Sequence, residues 1–375
     1  MRATVKDHLL NVRRGKPSVN APIVRVLSPG NEIETAKQLF KGDSFEGVDT
    51  WLKDDADNYY WSGGVNYAEE IEHILDTSQP LLTSQKKFEW FEKLHIDKIW
   101  STYHERGENV TIAVLDTGYN TTIPDVADSV VDSNVIIDTA AYPGIELIQE
   151  DQSNTGHGTR CLSLIGSRNN SQYLTGIAPR CKILSAKISI NREVRNFDFL
   201  LQGISWAIQK GADVISVSYA VELNDQDRIS LEKKYANLIK GSNVLIFASS
   251  GNAGSTPVKA ERYPASFTNC VSVGATDMNG NFSDITIQSS KTTIHAPGIN
   301  IESLGKSIDP DPQSGTSFST PIVAGIASLA ISHLKKRDGT WNAGNLLSKI
   351  YASGDAIPGT DSKKIINGLE LFKLL

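Results

Sequence analysis

Thr111-Ile-Ala-Val-Leu-Asp116-Thr-Gly118 is a short, largely β-branched apolar run that stops on a carboxylate. Such a run suits a strand buried on both faces of a parallel sheet, because no position alternates out to solvent. A carboxylate at its end lies where open α/β sheets carry their chemistry. Working outward, runs of the same kind recur at 182–188, 214–217, 244–247 and 271–273. Helical periods occupy 199–210 and 229–240, each closed by a glycine, Gly211 and Gly241. This succession predicts an α/β domain over residues 88–375, an open, mostly parallel sheet with helices on both faces.

Two further patches place reactive side chains in matching contexts. His157 sits in Asn154-Thr-Gly-His-Gly-Thr-Arg-Cys161, and Ser317 in Ser314-Gly-Thr-Ser-Phe-Ser-Thr-Pro321. A serine hydroxyl is a poor nucleophile at neutral pH and needs a positioned base. His157 would take its proton, and Asp116 would fix the imidazole tautomer. Ser317 is expected to open a helix running to about Lys336, with Pro321 in its first turn, where a missing amide proton is harmless. Gly156 and Gly158 read as room for substrate beside the imidazole, and Gly315 as a point of close backbone approach. Asp-Thr-Gly alone also suits an aspartic protease or a plain strand-end turn. Three patches in the order Asp, His, Ser decide otherwise. That is the order of subtilisin, not of chymotrypsin or the α/β-hydrolases.

On these residues the chain resembles the subtilisin family of serine peptidases, over roughly 88–375. Further matches are Tyr263-Pro-Ala, Ser272-Val-Gly-Ala, Ala296-Pro-Gly and the tail from Asn367. In Phe247-Ala-Ser-Ser-Gly-Asn-Ala-Gly254 the resemblance makes Asn252 the oxyanion-hole asparagine and places Ser249 and Gly251 beside substrate. Ser218-Tyr219-Ala220 stands where the substrate-binding strand usually reads Ser-Leu-Gly, so the cleft should narrow. Phe318 follows the nucleophile where methionine is common, and Cys161 reads as a small buried core residue rather than a second nucleophile. Arg262, just before Tyr-Pro-Ala, falls at the base of the primary specificity pocket. Pointing inward, it would favour Asp or Glu before the scissile bond; pairing with Glu261 or snorkelling into solvent would leave the pocket apolar. The resemblance implies no cofactor for catalysis. It also implies a structural calcium, with Asp125 and Asn170 as ligands and Gln85 as a guess for a third; the rival reading of 169–179 is a solvated polar loop. The competing class is a catalytically inactive subtilase-like scaffold that binds without cutting.

The front of the chain differs. Residues 1–66 carry Gly and Pro turn signals roughly every 8–12 residues, which predicts a small all-β barrel. The Leu-Asn-Val-Arg opening, the Leu-Ser-Pro-Gly turn and the Tyr-Trp-Ser-Gly close resemble a bacterial SH3-like domain. Trp51, Tyr59, Tyr60 and Trp61 either line a groove for a peptide or protein ligand or fill a small core. The rival view, an inhibitory propeptide, lacks the expected βαβ pattern. Residues 67–87 are polar and read as a linker, with one amphipathic stretch at 66–75.

The bulk properties agree with a globular protease of protein or peptide substrates. Hydrophobic residues make up 39% and charged residues 21% of the 375 residues, which is ordinary for a folded domain. A formal net charge of −6 argues against nucleic acid or an anionic membrane as partner. No apolar run is expected to span a bilayer, and the first residues lack a signal-like stretch. Three cysteines, too few for a disulfide framework, add to the expectation of a cytoplasmic protein.

Overall fold

The structure, a computed structural model, describes residues 2–15, 17–35, 38–54, 56, 58–67, 73–76, 88–168, 174–191, 196–253, 259–360 and 362–375. The chain divides into two compact units, Met1–Ser84 and Gln85–Leu375.

The first unit is a small β domain of two sheets. Arg2–Val5 lies between Glu32–Glu34 and Val65–Tyr67, antiparallel to both. The second sheet runs in the order Ile23–Leu27, Leu10–Arg14, Asn58–Trp61, Val48–Lys53, Gln38–Phe45, His73–Asp76. Trp51, Tyr59, Tyr60 and Trp61 are buried in its core beside Val12 and Leu52. Their polar tips are satisfied inside the unit. Trp51 Nε1 donates to the Asp43 carbonyl, Trp61 Nε1 to that of Val48, and Tyr60 Oη to Asp54. Of the two readings offered for these aromatics, the core is what forms. His73–Asp76, within the stretch expected to be a linker, pairs in parallel with Gln38–Phe45. Its backbone groups are recruited by an open sheet edge that local composition does not reveal.

The second unit holds a nine-stranded sheet. Its order is Val130–Val135, Lys182–Lys187, Thr111–Asp116, Val214–Val217, Leu245–Ser249, Val271–Thr276, Thr292–Pro297, Lys364–Ile365, Asp355–Ala356. Every pair is parallel except the last, as expected of an open α/β sheet built from strand–helix–strand units. Alternate residues of the central strands feed opposite faces. Ala113, Leu115, Ile215 and Val217 pack with the helix Phe197–Gln209 and with Tyr235 of the helix Asp225–Ile239. Asn196 and Asn224 cap those helices by accepting the amides of Asp198 and Asp227, satisfying first-turn donors.

The central helix, Thr316–Asp338, corrects two expectations. It is long and apolar enough to cross a membrane by length and composition, yet 89% of its apolar window is buried inside the unit. Its hydrophobicity serves contact with the sheet and with the helix His157–Gly166. Pro321 is its sixth residue, beyond the first turn, so an internal hydrogen bond is missing. The carbonyl left without an amide partner, four residues back, is that of Ser317.

Candidate active site

Asp116 closes the strand Thr111–Asp116, and His157 opens the helix His157–Gly166. Their facing atoms, Asp116 Oδ1 and His157 Nδ1, are 2.7 Å apart, and both side chains are buried. The same Oδ1 accepts the Thr117 amide at 2.8 Å, which holds the carboxylate in place. With Nδ1 engaged, the imidazole presents Nε2, which has no hydrogen-bond partner among the described residues. Ser317 Oγ rests 3.5 Å from the Ser218 carbonyl. A loose nucleophile of this kind is common before substrate arrives, because such bonds tighten in the loaded complex.

Sequence reasoning missed Asp151. One of its oxygens accepts Thr117 Oγ1 at 2.9 Å and Ser153 Oγ at 2.6 Å; the other accepts the Thr159 amide at 2.9 Å and Thr159 Oγ1 at 2.7 Å. Ser153 Oγ in turn accepts the His157 amide, and Thr117 Oγ1 the Gly158 amide, each at 2.9 Å. All three leading amides of the catalytic helix are therefore bonded through one carboxylate and the hydroxyls it orients. An available signal was an acid and a serine just ahead of a helix start, where negative charge is favoured. Buried Lys187 supports the same loop, donating to the Glu150 carbonyl and to Gln152 Oε1, each at 2.6 Å. Burial pushes its ammonium down to about 8.

Gly156 and Gly158 serve a different purpose from the one expected. A Cβ on Gly156 would lie 2.6 Å from the Gly305 carbonyl carbon, and one on Gly158 would lie 2.2 Å from the Gly118 oxygen. They let three backbone segments meet under the imidazole rather than leaving space for substrate.

At the nucleophile, the carbonyl freed by Pro321 is reused. Ser218 Oγ donates to the Ser317 oxygen at 2.7 Å, and Cys161 Sγ does so at 3.4 Å. This ties the helix start to the end of the strand Val214–Val217. Donor atoms of Asp116, His157 and Cys161 lie within 4.8 Å of one another. The Asp–His hydrogen bond already engages two of them. Burial, reinforced by the Asp116 charge, raises the Cys161 thiol well above its ordinary range, so it stays protonated and inert. Asn252 is exposed, and its Oδ1 accepts both the amide and the hydroxyl of Thr316, at 2.9 and 3.0 Å. That leaves its Nδ2 to donate outward, close to Gly315, where a Cβ would approach it to 3.1 Å. The Ser317 amide, at a helix start, is a second donor without an intrahelical partner.

Ser218, Tyr219 and Ala220 continue past that strand, and an antiparallel bridge between Val221 and Tyr263 fixes the next step, with bonds of 3.0 and 2.9 Å. Ser249 ends the neighbouring strand and is buried. Gly251 takes φ +92°, and a Cβ there would meet Arg262 Cγ at 3.1 Å and Ala220 Cβ at 3.3 Å. Gly251, Ala220 and the Arg262 stem thus share one wall. The Arg262 guanidinium is paired, but with Glu222 at 2.5 Å, while its other arm reaches the Glu261 carbonyl at 3.2 Å. The Glu261 carboxylate is taken by the Tyr263 hydroxyl at 2.9 Å.

Of the expected metal ligands, Asp125 is buried in the turn Pro124–Ala127, while Asn170 and Gln85 lie outside the described residues. The Asp125 carbonyl accepts the Arg168 amide at 2.9 Å, which ties this turn to the last described residue before position 169. An enclosed carboxylate such as that of Asp125 is a hard oxygen ligand of the kind calcium takes.

Comparison with known proteins gives four findings. The profile described as "Subtilase family" matches residues 107–350. Thermitase from Thermoactinomyces vulgaris is 30% identical over 270 residues, which cover 72% of this chain and 88% of thermitase. M-protease from Shouchella clausii (strain KSM-K16) is 30% identical over 236 residues, and the match spans 56% of that longer relative. A solved structure described as "Structure of Prenylagaramide maturation protease PagA" superposes with a TM-score of 0.61 at 26% identity, covering 74% of this chain and 98% of the other.

Proposed function

The chain belongs to the subtilase family and is a subtilisin-type serine endopeptidase; from that premise we propose that it is a selective processing protease favouring Asp or Glu before the scissile bond. Catalysis of this kind needs no cofactor. Ser317 Oγ attacks the scissile carbonyl carbon while His157 Nε2 takes its proton. The C–O bond forms as the carbonyl π pair moves onto oxygen, and Asn252 Nδ2 and the Ser317 amide meet that oxyanion. Collapse expels the amine, which receives the proton from His157, and water then releases the acyl group by the same steps. Asp116 holds the imidazole and stabilises its charged form throughout.

The observation that carries this reading is the buried Asp116–His157 pair beside a helix start whose Thr316 orients Asn252. Likeness to a structure described as a maturation protease supports processing over bulk digestion. Arg262, with its stem against Gly251 and Ala220, supports the acidic preference. A charge-assisted contact there is worth about 1.5–3 kcal/mol, roughly 10–150-fold. A fluorogenic peptide library varied at that one position tests it. Best turnover with Glu or Asp, lost in Arg262→Met, is expected. Best turnover with Phe or Leu, unaltered by the substitution, would sink the preference.

The wider setting belongs to the same proposal. The front unit targets substrate or a partner through a surface other than its buried aromatics. Calcium held with Asp125 as a ligand stabilises the fold without entering the reaction. Three thiols without disulfide partners support a reducing, cytoplasmic setting.

A further inference from the structure

The wall proposed to read the residue before the scissile bond contains its own carboxylate. Glu222 Oε1 sits 2.5 Å from Arg262 Nη2, the position a substrate carboxylate would take. The two partners are held very differently. The Arg262 side chain is 15% exposed, its stem lies against Gly251 and Ala220, and Nη1 is anchored on the Glu261 carbonyl. The Glu222 side chain is 74% exposed. Its main chain is positioned by the Val221–Tyr263 bridge, one residue from each member of the pair. Among the described residues no other carboxylate engages this guanidinium, because that of Glu261 is occupied by Tyr263. The cation is therefore fixed, and the anion is free to swing into water with almost no change in its solvation.

We infer that Glu222 is an exchangeable stand-in for the substrate's carboxylate, and that an acidic residue binds by displacing it from Arg262. This rests on the reading of Arg262 given above and adds the competitor that sets its strength. Selectivity for an acidic side chain is then a difference between two similar ion pairs rather than the worth of one. It also makes an uncharged side chain acceptable, since the intact Arg262–Glu222 pair leaves no buried charge unmet when Leu or Phe binds.

The test uses the full chain and two fluorogenic peptides that differ only in Glu or Leu before the scissile bond. Enzyme concentration is set by active-site titration with a fluorophosphonate, so kcat/KM is read per competent site. Glu222→Gln should raise the Glu:Leu ratio about tenfold, through KM for the Glu peptide. Arg262→Met should collapse the ratio, and adding Glu222→Gln to it should change nothing further. If Glu222→Gln leaves the ratio at the wild-type value while Arg262→Met lowers it, Arg262 reads carboxylates but Glu222 does not compete, and the inference falls alone. A ratio raised equally in the Arg262→Met background would mean that Glu222 acts as a general repulsive charge, which also overturns exchange. A ratio indifferent to both substitutions removes the acidic preference itself.

Discussion

Around His157 polar groups are buried and multiply bonded, whereas around Arg262 a single ion pair faces solvent on one side. Asp151 alone accepts from Thr117, Ser153 and Thr159, and the Thr117 and Ser153 hydroxyls accept in turn from the helix amides of Gly158 and His157. At the wall proposed to read the substrate, Arg262 is 15% exposed and its partner Glu222 stands 74% exposed. The contrast follows from what each region has to do. Proton transfer needs an imidazole held to within fractions of an ångström, which buried networks supply. The selectivity proposed for Arg262 needs a partner that gives way, which an exposed carboxylate supplies because water competes for it.

The harshest test strikes the buried side. Ser317→Ala and His157→Ala should each lower kcat by about 10⁴–10⁶-fold while the fold persists, since triad members act as a unit. Labelling by a fluorophosphonate probe should vanish in Ser317→Ala. Wild-type turnover in either purified variant would end the assignment and favour the inactive-scaffold reading.

A second test asks whether burial on this sheet also governs stability. His295, in the strand Thr292–Pro297, is fully buried with Nε2 unpartnered. Burial, assisted by nearby Lys363, pushes its imidazole from 6.5 down to about 4. The folded state thus refuses a proton that the unfolded chain accepts below pH 6.5. Stability attributable to this group is complete above that pH and is lost as pH falls toward 4, by about 3 kcal/mol. Denaturant midpoints measured across that window should fall less steeply in His295→Gln. An identical slope in the variant would show that other groups carry the acid sensitivity.

The smallest effect is expected from the front unit. Removing Met1–Ser84 should leave cleavage of a short peptide unchanged and weaken cleavage of a folded protein substrate. A many-fold rise with the short peptide would instead identify the unit as an inhibitor.

Much of this was legible in local patterns. Asp116 at a strand end and Ser317 at a helix start follow from hydrophobic period and turn chemistry, which act over a few residues. The linker was misread in part because His73–Asp76 pairs with a strand some thirty-five residues away. Pro321 was placed a turn too early, and with it the fate of the Ser317 carbonyl was hidden.

By itself the sequence determined the class of chemistry, because nucleophile, base and acid are each marked by their immediate neighbours and by their order. It determined the alternation of strand and helix for the same reason. Only the tertiary structure decided which groups meet across the chain: Ser218 on the Ser317 carbonyl, Asp151 beneath the catalytic helix, Lys187 under the loop before it, and Glu222 on Arg262. Such contacts depend on strand order in the sheet and on which side chains share a buried space. No short-range pattern carries that information, since burial and partner choice are properties of the assembled core.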